Sequence, residues 1–249
     1  MRWQHSIFYF FLTWYSFGVI LVGFNLLPTW LEWANSVFII TAGVLGIIYF
    51  VRGFGSGQGI TISALIFIVT FIVEYLGSTH SVFFGSYEYT QYFAPNLFGV
   101  PIAIGFAWIM VLATSDAIAC ALPLTNRWIQ SIVASLLAVV FDLVLDPVSF
   151  KVKNYWIWEQ GGYYYDIPYT NFLDWFLTAL VLHLIIARLF KKRHADRLWQ
   201  QRMVLLYGLM IGMFAFIALL HALYLAAMIP IIVVAVVLLF MKKEHSTLQ

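Results

Sequence analysis

The sequence predicts an all-α fold, a polytopic integral membrane bundle of about eight transmembrane helices with both termini on the cytoplasmic side. The 249 residues are 63% hydrophobic and only 10% charged, and the mean hydropathy is +0.91. A soluble domain has roughly half of its residues apolar and about a quarter charged. The bilayer is therefore the expected solvent. The distribution of lysine and arginine also favours an even number of spans.

Eight stretches are long and apolar enough to cross a membrane, which takes about 20 residues. The candidate spans are 6–27, 35–51, 60–77, 99–121, 128–145, 172–190, 203–221 and 222–241. The first is too long for a cleaved signal, and no small-residue cleavage site follows it. No linker, internal repeat or low-complexity segment interrupts the series. We therefore expect residues 1–249 to form a single membrane domain.

Lysine and arginine favour the cytoplasmic side of short loops and so set the orientation. With the amino terminus inside, all but two of the 13 basic residues fall inside, the exceptions being Lys151 and Lys153. The inside set is Arg2, Arg52, Arg127, Arg188, Lys191, Lys192, Arg193, Arg197, Arg202, Lys242 and Lys243. Loops 78–98 and 146–171 then both lie on the outer side.

The net charge and the single cysteine limit which binding partners and which covalent cross-links the sequence predicts. A net charge of +2 is too small to indicate nucleic acid. The basic segment after the sixth span is expected to lie against anionic headgroups, so membrane lipid is one partner. One cysteine, Cys120, cannot form an internal disulfide. The oligomeric state is left open.

Ionisable residues inside spans are costly and are functional candidates by default. Glu74 lies near the outer end of the third span, and Asp142 and Asp146 lie at the outer end of the fifth. Residues four apart share one helix face. Because two buried like charges resist ionising together, we expect one aspartate to stay protonated near neutral pH, as a general acid requires.

The residues themselves leave alternatives open. Pro147 is expected to end the fifth helix, which would leave Asp146 exposed to the outer loop. The aspartate pair could instead bind Lys151 or Lys153, and Glu74 could bond a neighbouring tyrosine. Carboxylates and imidazole suit several divalent metals, but no ligand spacing of the HxxxH or ExxH kind occurs at the site. No metal site is predicted.

The outer loops are rich in aromatic residues, which make up 19% of the chain. Tryptophan and tyrosine gather at membrane interfaces in any case. The run YWIWEQGGYYYDIPYTNFLDW exceeds what an interfacial belt needs. Aromatic faces attract cations. Such walls would suit a carbocation in a water-poor pocket, and would also bind a conjugated polyene.

Four stretches in series resemble motifs of the carotenoid biosynthesis membrane proteins that include the CruF-type carotenoid hydratases. They are EYLGSTHSVFFGSYEYT, LFGVPIAIGFAW, FDLVLDPVSFKVKNYWIW and IPYTNFLDW, and together they cover about residues 74–175. The resemblance implies a hydro-lyase that needs no cofactor. It would add water to the terminal double bond of an acyclic carotenoid end group and leave a tertiary alcohol, with the site toward the outer face of the cell membrane.

The resemblance also implies which residues matter. The positions that match its motifs are Glu74, Tyr87, Glu88, Tyr89, Pro101, Asp142, Asp146, Pro147, Trp156, Trp158, Pro168, Asn171 and Trp175. Glu74, Asp142 and Asp146 are the expected catalytic residues. The expected substrate-binding residues are His80, Tyr87, Glu88, Tyr89, Trp156, Trp158, Tyr164, Asn171, Asp174 and Trp175.

In the expected mechanism, Asp142 or Asp146 protonates the alkene, and Glu74 or the second aspartate orients the attacking water. The rival interpretation is a proton-coupled transporter or a non-catalytic carotenoid-binding membrane subunit. Asp116 and His183 are the deep ionisable residues that a proton relay could use. The partners expected for the enzyme are an acyclic carotenoid and water.

Overall fold

The computed structural model describes residues 2–190 and 193–247, and it confirms a bundle of helices with membrane-spanning length and composition. Eight such helices occur in the described ranges. They are α1 Arg2–Gly23, α2 Trp33–Phe54, α3 Ser56–His80, α4 Ile102–Ala121, α5 Arg127–Pro147, α6 Tyr169–Leu189, α7 Arg197–Leu220 and α8 Tyr224–Thr247. Helices α1 and α2 are linked through a short 3₁₀ turn, Thr29–Leu31.

Helix α4 is the centre of the bundle and packs against α2, α3, α5 and α7. Small residues allow these close approaches, as is usual where helices pack in a membrane. A Cβ atom on Gly43 of α2 would lie 2.6 Å from the backbone oxygen of Phe106 in α4. Any larger residue at position 43 would therefore push α2 away from the central helix.

The prediction that Pro147 ends the fifth helix is wrong. The helix includes Pro147 and continues as a π-helical turn, Val148–Val152. Proline has no backbone N–H and so leaves the carbonyl four residues earlier unpaired. The Tyr164 hydroxyl donates to that carbonyl, on Leu143, at 2.8 Å. Since another residue satisfies the carbonyl, the helix continues, and Asp146 is enclosed rather than exposed at a helix end.

The loop between α3 and α4 and the loop between α5 and α6 pair through short strands that the sequence did not reveal. Strand β1, Tyr87–Tyr89, runs antiparallel to β4, Trp156–Trp158. Tyr87 lies opposite Trp158, and Tyr89 lies opposite Trp156. Side chains alternate along a strand, so these four aromatic residues face the bundle. A second pair, β2 Asn96–Leu97 and β3 Val100–Pro101, completes the first loop.

The charged side chains separate toward the two ends of the bundle. At one end Arg52 pairs with Asp196 at 2.7 Å, and Arg193 pairs with Asp116 at 2.8 Å. At the end that carries β1 and β4, Lys151 pairs with the exposed Asp166. This separation agrees with the predicted topology, whose cytoplasmic assignment stays a prediction. Lys191, Lys192 and the side chains of Lys242 and Lys243 lie outside the described residues.

The replacement Tyr164→Phe tests the role of the Tyr164 hydroxyl. It keeps the ring contacts with Tyr165 and Phe172 but leaves the Leu143 carbonyl without its donor. We expect a loss of about 1 kcal/mol in the free energy of unfolding, seen as a lower Tm in detergent. Tyr163→Phe, at a fully exposed position, is the matched control. Equal Tm values for the two variants would contradict this role.

Candidate active site

Three carboxyl groups meet in a small cavity beneath the β1–β4 ribbon. Glu74 comes from α3, and Asp142 and Asp146 come from α5. Their side chains are almost fully buried, with exposures of 5%, 1% and 1%. The cavity measures about 50 Å³. A site of this volume with several polar partners has room for one or two water molecules.

Aromatic rings form most of the remaining wall. The rings are those of Phe84, Tyr87, Tyr89, Trp108, Trp156, Trp158 and Trp175. Trp108 and Trp175 stack with their centroids 4.1 Å apart. Tyr87 packs on Trp158 with a centroid separation of 4.9 Å. The carboxyl groups are thus enclosed by ring faces and by the polar edges of indoles and phenols.

The Glu74 carboxyl group accepts three hydrogen bonds, and each of its two oxygens receives at least one. The Tyr87 and Tyr89 hydroxyls donate to Oε2 at 2.6 and 2.7 Å. The Trp108 indole N–H donates to Oε1 at 2.9 Å. Hydrogen bonds that converge on a carboxylate favour its charged form. Helix α3, strand β1 and helix α4 are therefore joined at one buried acid.

Asp146 is held in the same way, from the other side of the cavity. Its Oδ1 accepts from the indole N–H groups of Trp156 and Trp158, at 2.7 and 3.1 Å. Its Oδ2 accepts from the Asn171 amide at 2.9 Å. Strand β4 and helix α6 thus supply all three donors. The two tryptophans alternate with Ile157, so one strand presents both indoles to one acid.

Asp142 differs from the other two acids in its partners. Among the described residues its one hydrogen-bond partner is Asn171, whose amide nitrogen lies 2.7 Å from Oδ2. The same nitrogen therefore bridges Asp142 and Asp146. The alternatives in which Lys151 or Lys153 binds the pair do not occur, because Lys151 pairs with Asp166 and the cavity wall contains neither lysine.

The tyrosines of β1 stay protonated in this setting. Burial, and then the charge of Glu74, raise the pKa of both Tyr87 and Tyr89 well above the ordinary tyrosine value. Both side chains are consequently phenol donors throughout the physiological range. They neutralise part of the charge at Glu74 without introducing a cation into the cavity.

Four residues predicted to bind substrate lie away from the cavity. Glu88 points outward from β1 and is exposed, and His80 is exposed at the end of α3, where it contacts Tyr75. Asp174 accepts a hydrogen bond from the Phe84 backbone N–H at 2.7 Å and anchors the loop between α3 and α4 to α6. The Tyr164 hydroxyl donates a hydrogen bond to the Leu143 carbonyl. Each of the four has a structural or solvent contact in place of a cavity contact.

Trp108 is a cavity residue that sequence reasoning did not single out. It lies in the stretch LFGVPIAIGFAW, at the seventh position of α4, and is fully buried. Tryptophan usually sits at the membrane interface. A tryptophan about two turns into a membrane-spanning helix was the available signal that its N–H meets a buried acceptor.

The deep residues considered for a proton relay lie elsewhere. Asp116, eight residues beyond Trp108 on α4, pairs with Arg193 and accepts from the Tyr49 hydroxyl at 2.7 Å. His183 lies 3.4 Å from the Ser115 hydroxyl. At about 1.5 Å per residue, Asp116 is roughly 12 Å along the helix axis from Trp108, which lines the carboxyl cavity.

Within the described ranges, no group of three or more possible ligands is arranged to hold a metal.

A sequence model of a family described as "Carotenoid biosynthesis protein" matches residues 34–241. The chain belongs to this carotenoid biosynthesis protein family. The match confirms the resemblance at family level and extends it beyond residues 74–175, from α2 into α8. All three carboxyl residues lie inside it, whereas α1 lies outside. No match was found among curated proteins or among solved structures.

Asn171→Leu tests whether the bridging amide holds the carboxyl pair together. Leucine has nearly the same shape as asparagine but has no N–H group. The change therefore removes the one donor that Asp142 and Asp146 share. An unsatisfied buried acceptor costs about 1–3 kcal/mol, so we expect a clear fall in Tm. The exposed Asn96→Leu is the control. A Tm that falls no further for Asn171→Leu than for the control would argue against the bridge.

Proposed function

We propose that the protein is a carotenoid hydratase, a hydro-lyase that needs no cofactor. It adds water to the terminal double bond of an acyclic carotenoid end group and yields a tertiary alcohol. Membership of a carotenoid biosynthesis family supplies the substrate class. The observation that carries the proposal is that three carboxyl groups share one small aromatic cavity but accept unequal numbers of hydrogen bonds. Glu74 and Asp146 accept three each, and Asp142 accepts one.

The unequal bonding assigns the proton to Asp142. Each oxygen of Glu74 and Asp146 faces N–H or O–H donors, three for each acid, which favours the charged form. Asp142 has one neutral donor and a like-charged neighbour. Burial of a third unpaired charge would be costly. Asp142 is therefore the carboxyl that holds the proton and acts as the general acid.

The reaction begins with proton transfer to the alkene. The O–H bond of Asp142 breaks as the π electrons of the terminal double bond form a C–H bond at the less substituted carbon. Positive charge then develops at the tertiary carbon. The carboxylates of Glu74 and Asp146 and the stacked faces of Trp108 and Trp175 stabilise that charge. Hydrogen bonds already fix the two carboxylates and Trp108, so these groups need little reorganisation.

Water capture completes the reaction. An oxygen lone pair of a water molecule forms the C–O bond at the tertiary carbon, and the water loses one proton. That proton goes to Asp146 and returns to Asp142 across the pair bridged by Asn171. Atoms and charge balance, and no oxidant or reductant is required. The small cavity volume limits how much water can compete for the acid.

Asp142→Asn provides the direct test in a host that makes an acyclic carotenoid. The natural chain is expected to give a product heavier by one water, detected by mass spectrometry. Removal of a general acid typically costs about 10²–10⁴-fold in rate, so Asp142→Asn should give essentially no tertiary alcohol. Asp146→Asn should also be strongly impaired, since it removes the proton acceptor.

Asp166→Asn is the matched control, because Asp166 pairs with Lys151 at the surface. Equal amounts of each variant in the membrane fraction would exclude loss of protein as the cause. Tertiary alcohol from both Asp142→Asn and Asp146→Asn would overturn the assignment. A carotenoid that binds but is never altered by the natural chain would instead support the binding-subunit interpretation.

A further inference from the structure

A second cavity of about 240 Å³ lies between α1 and the faces of α2, α4, α5 and α7. Its wall is almost entirely apolar and includes Phe17 and Leu21 of α1, Phe38 of α2 and Phe214 of α7. Phe17 is nevertheless 64% exposed, so the cavity opens toward the lipid-facing surface of the bundle. We call this cavity the apolar groove.

The apolar groove and the carboxyl cavity share part of their walls. Ile104, Ala107, Leu145 and Trp156 line both. The two spaces therefore adjoin at these four side chains. Trp156 also donates to Asp146, so one residue of this layer contacts a proposed catalytic acid directly.

The sizes of the two spaces differ in a way that matters for a long substrate. The carboxyl cavity, at about 50 Å³, is far too small to hold a whole polyene. The remainder of a polyene must lie outside it. The groove adjoins it, is roughly five times larger, and opens toward lipid. A hydrocarbon dissolved in the bilayer could enter it without crossing water.

The chemistry of the groove wall fits a hydrocarbon chain. A polyene offers nothing to hydrogen-bond, and aromatic rings such as Phe38, Phe93 and Tyr155 provide flat faces for it. Lys153 is a polar residue on this wall, and burial lowers its pKa. By contrast, a cavity of about 390 Å³ elsewhere in the bundle is lined by Asp116, Arg193 and other polar groups and does not suit a hydrocarbon.

We propose that the apolar groove holds the polyene chain of the substrate, behind the reacting end group, and that α1 sets which chains fit. This inference rests on the proposed hydration at the carboxyl cavity. Helix α1 lies outside the family match yet supplies one whole side of the groove.

Gly18→Leu is the variant that tests the groove. Gly18 lines it, and a Cβ at this position would have no atom within 4 Å, so the larger side chain fills the groove without strain. Gly212→Leu is the matched control, since Gly212 of α7 also has open space around it but does not line the groove. Gly18→Ala provides a smaller step at the same position.

Binding of an acyclic carotenoid to purified protein is measured by quenching of tryptophan fluorescence, alongside product formation. We expect Gly18→Leu to weaken binding at least about tenfold, with Gly18→Ala close to the natural chain and Gly212→Leu unchanged. Hydration of a short acyclic isoprenoid with the same end group should survive in Gly18→Leu, because that substrate needs little of the groove.

The outcomes separate this inference from the proposed reaction. Equal carotenoid affinity in Gly18→Leu and Gly212→Leu would overturn the groove, whether or not hydration occurs. Weaker binding in Gly18→Leu with no product from any protein would support the groove and reject hydration. Loss of the short-substrate reaction together with carotenoid binding would show a collapsed fold and reject α1 as a selective wall.

Discussion

The end of the bundle that carries β1 and β4 depends on one constraint, the burial of three carboxyl groups in a cavity to which the described residues contribute no cation. The cavity wall offers only neutral partners, namely two phenols, three indoles and one amide. An unpaired buried charge is costly, so each donor must be brought to its acid. This requirement explains why the loop between α3 and α4 and the loop between α5 and α6 both fold back over the ends of α3 and α5.

The ribbon of β1 and β4 supplies most of the donors that the buried carboxyl groups need. Two strands of three residues would be marginal alone. Their inward side chains, however, carry four of the seven hydrogen bonds made to the acids, two to Glu74 and two to Asp146. Asp174 and Thr170 of α6 fix the first loop through the backbone of Phe84. The aromatic richness of these loops is thus a consequence of acid burial as well as of the interface.

The sequence was sufficient for the helices, because eight long apolar runs leave little choice in a bilayer. It also placed Glu74, Asp142 and Asp146 at one level, through span counting and the four-residue spacing. It could not reveal the strand pairing, since three-residue strands leave no periodic signal. For the same reason it did not separate the inward Tyr87 from the outward Glu88.

Pro147 and Tyr164 show a second kind of limit. Proline usually ends a helix, and the prediction failed because a tyrosine 21 residues away from Leu143 supplies the missing donor. Similarly, Asp174 was expected to bind substrate, but it accepts a loop N–H. Such long-range pairings follow from the fold and not from local sequence. The groove beside α1 likewise appears only when five helices are assembled.

Isotope labelling of the product tests the central claim most directly. The purified protein would be given an acyclic carotenoid in water labelled with heavy oxygen and deuterium. Protonation by Asp142 followed by water capture predicts one heavy oxygen on the tertiary carbon and one deuterium on the adjacent carbon, where it does not exchange. A product with oxygen from another source, or one without a carbon-bound deuterium, would contradict acid-catalysed hydration.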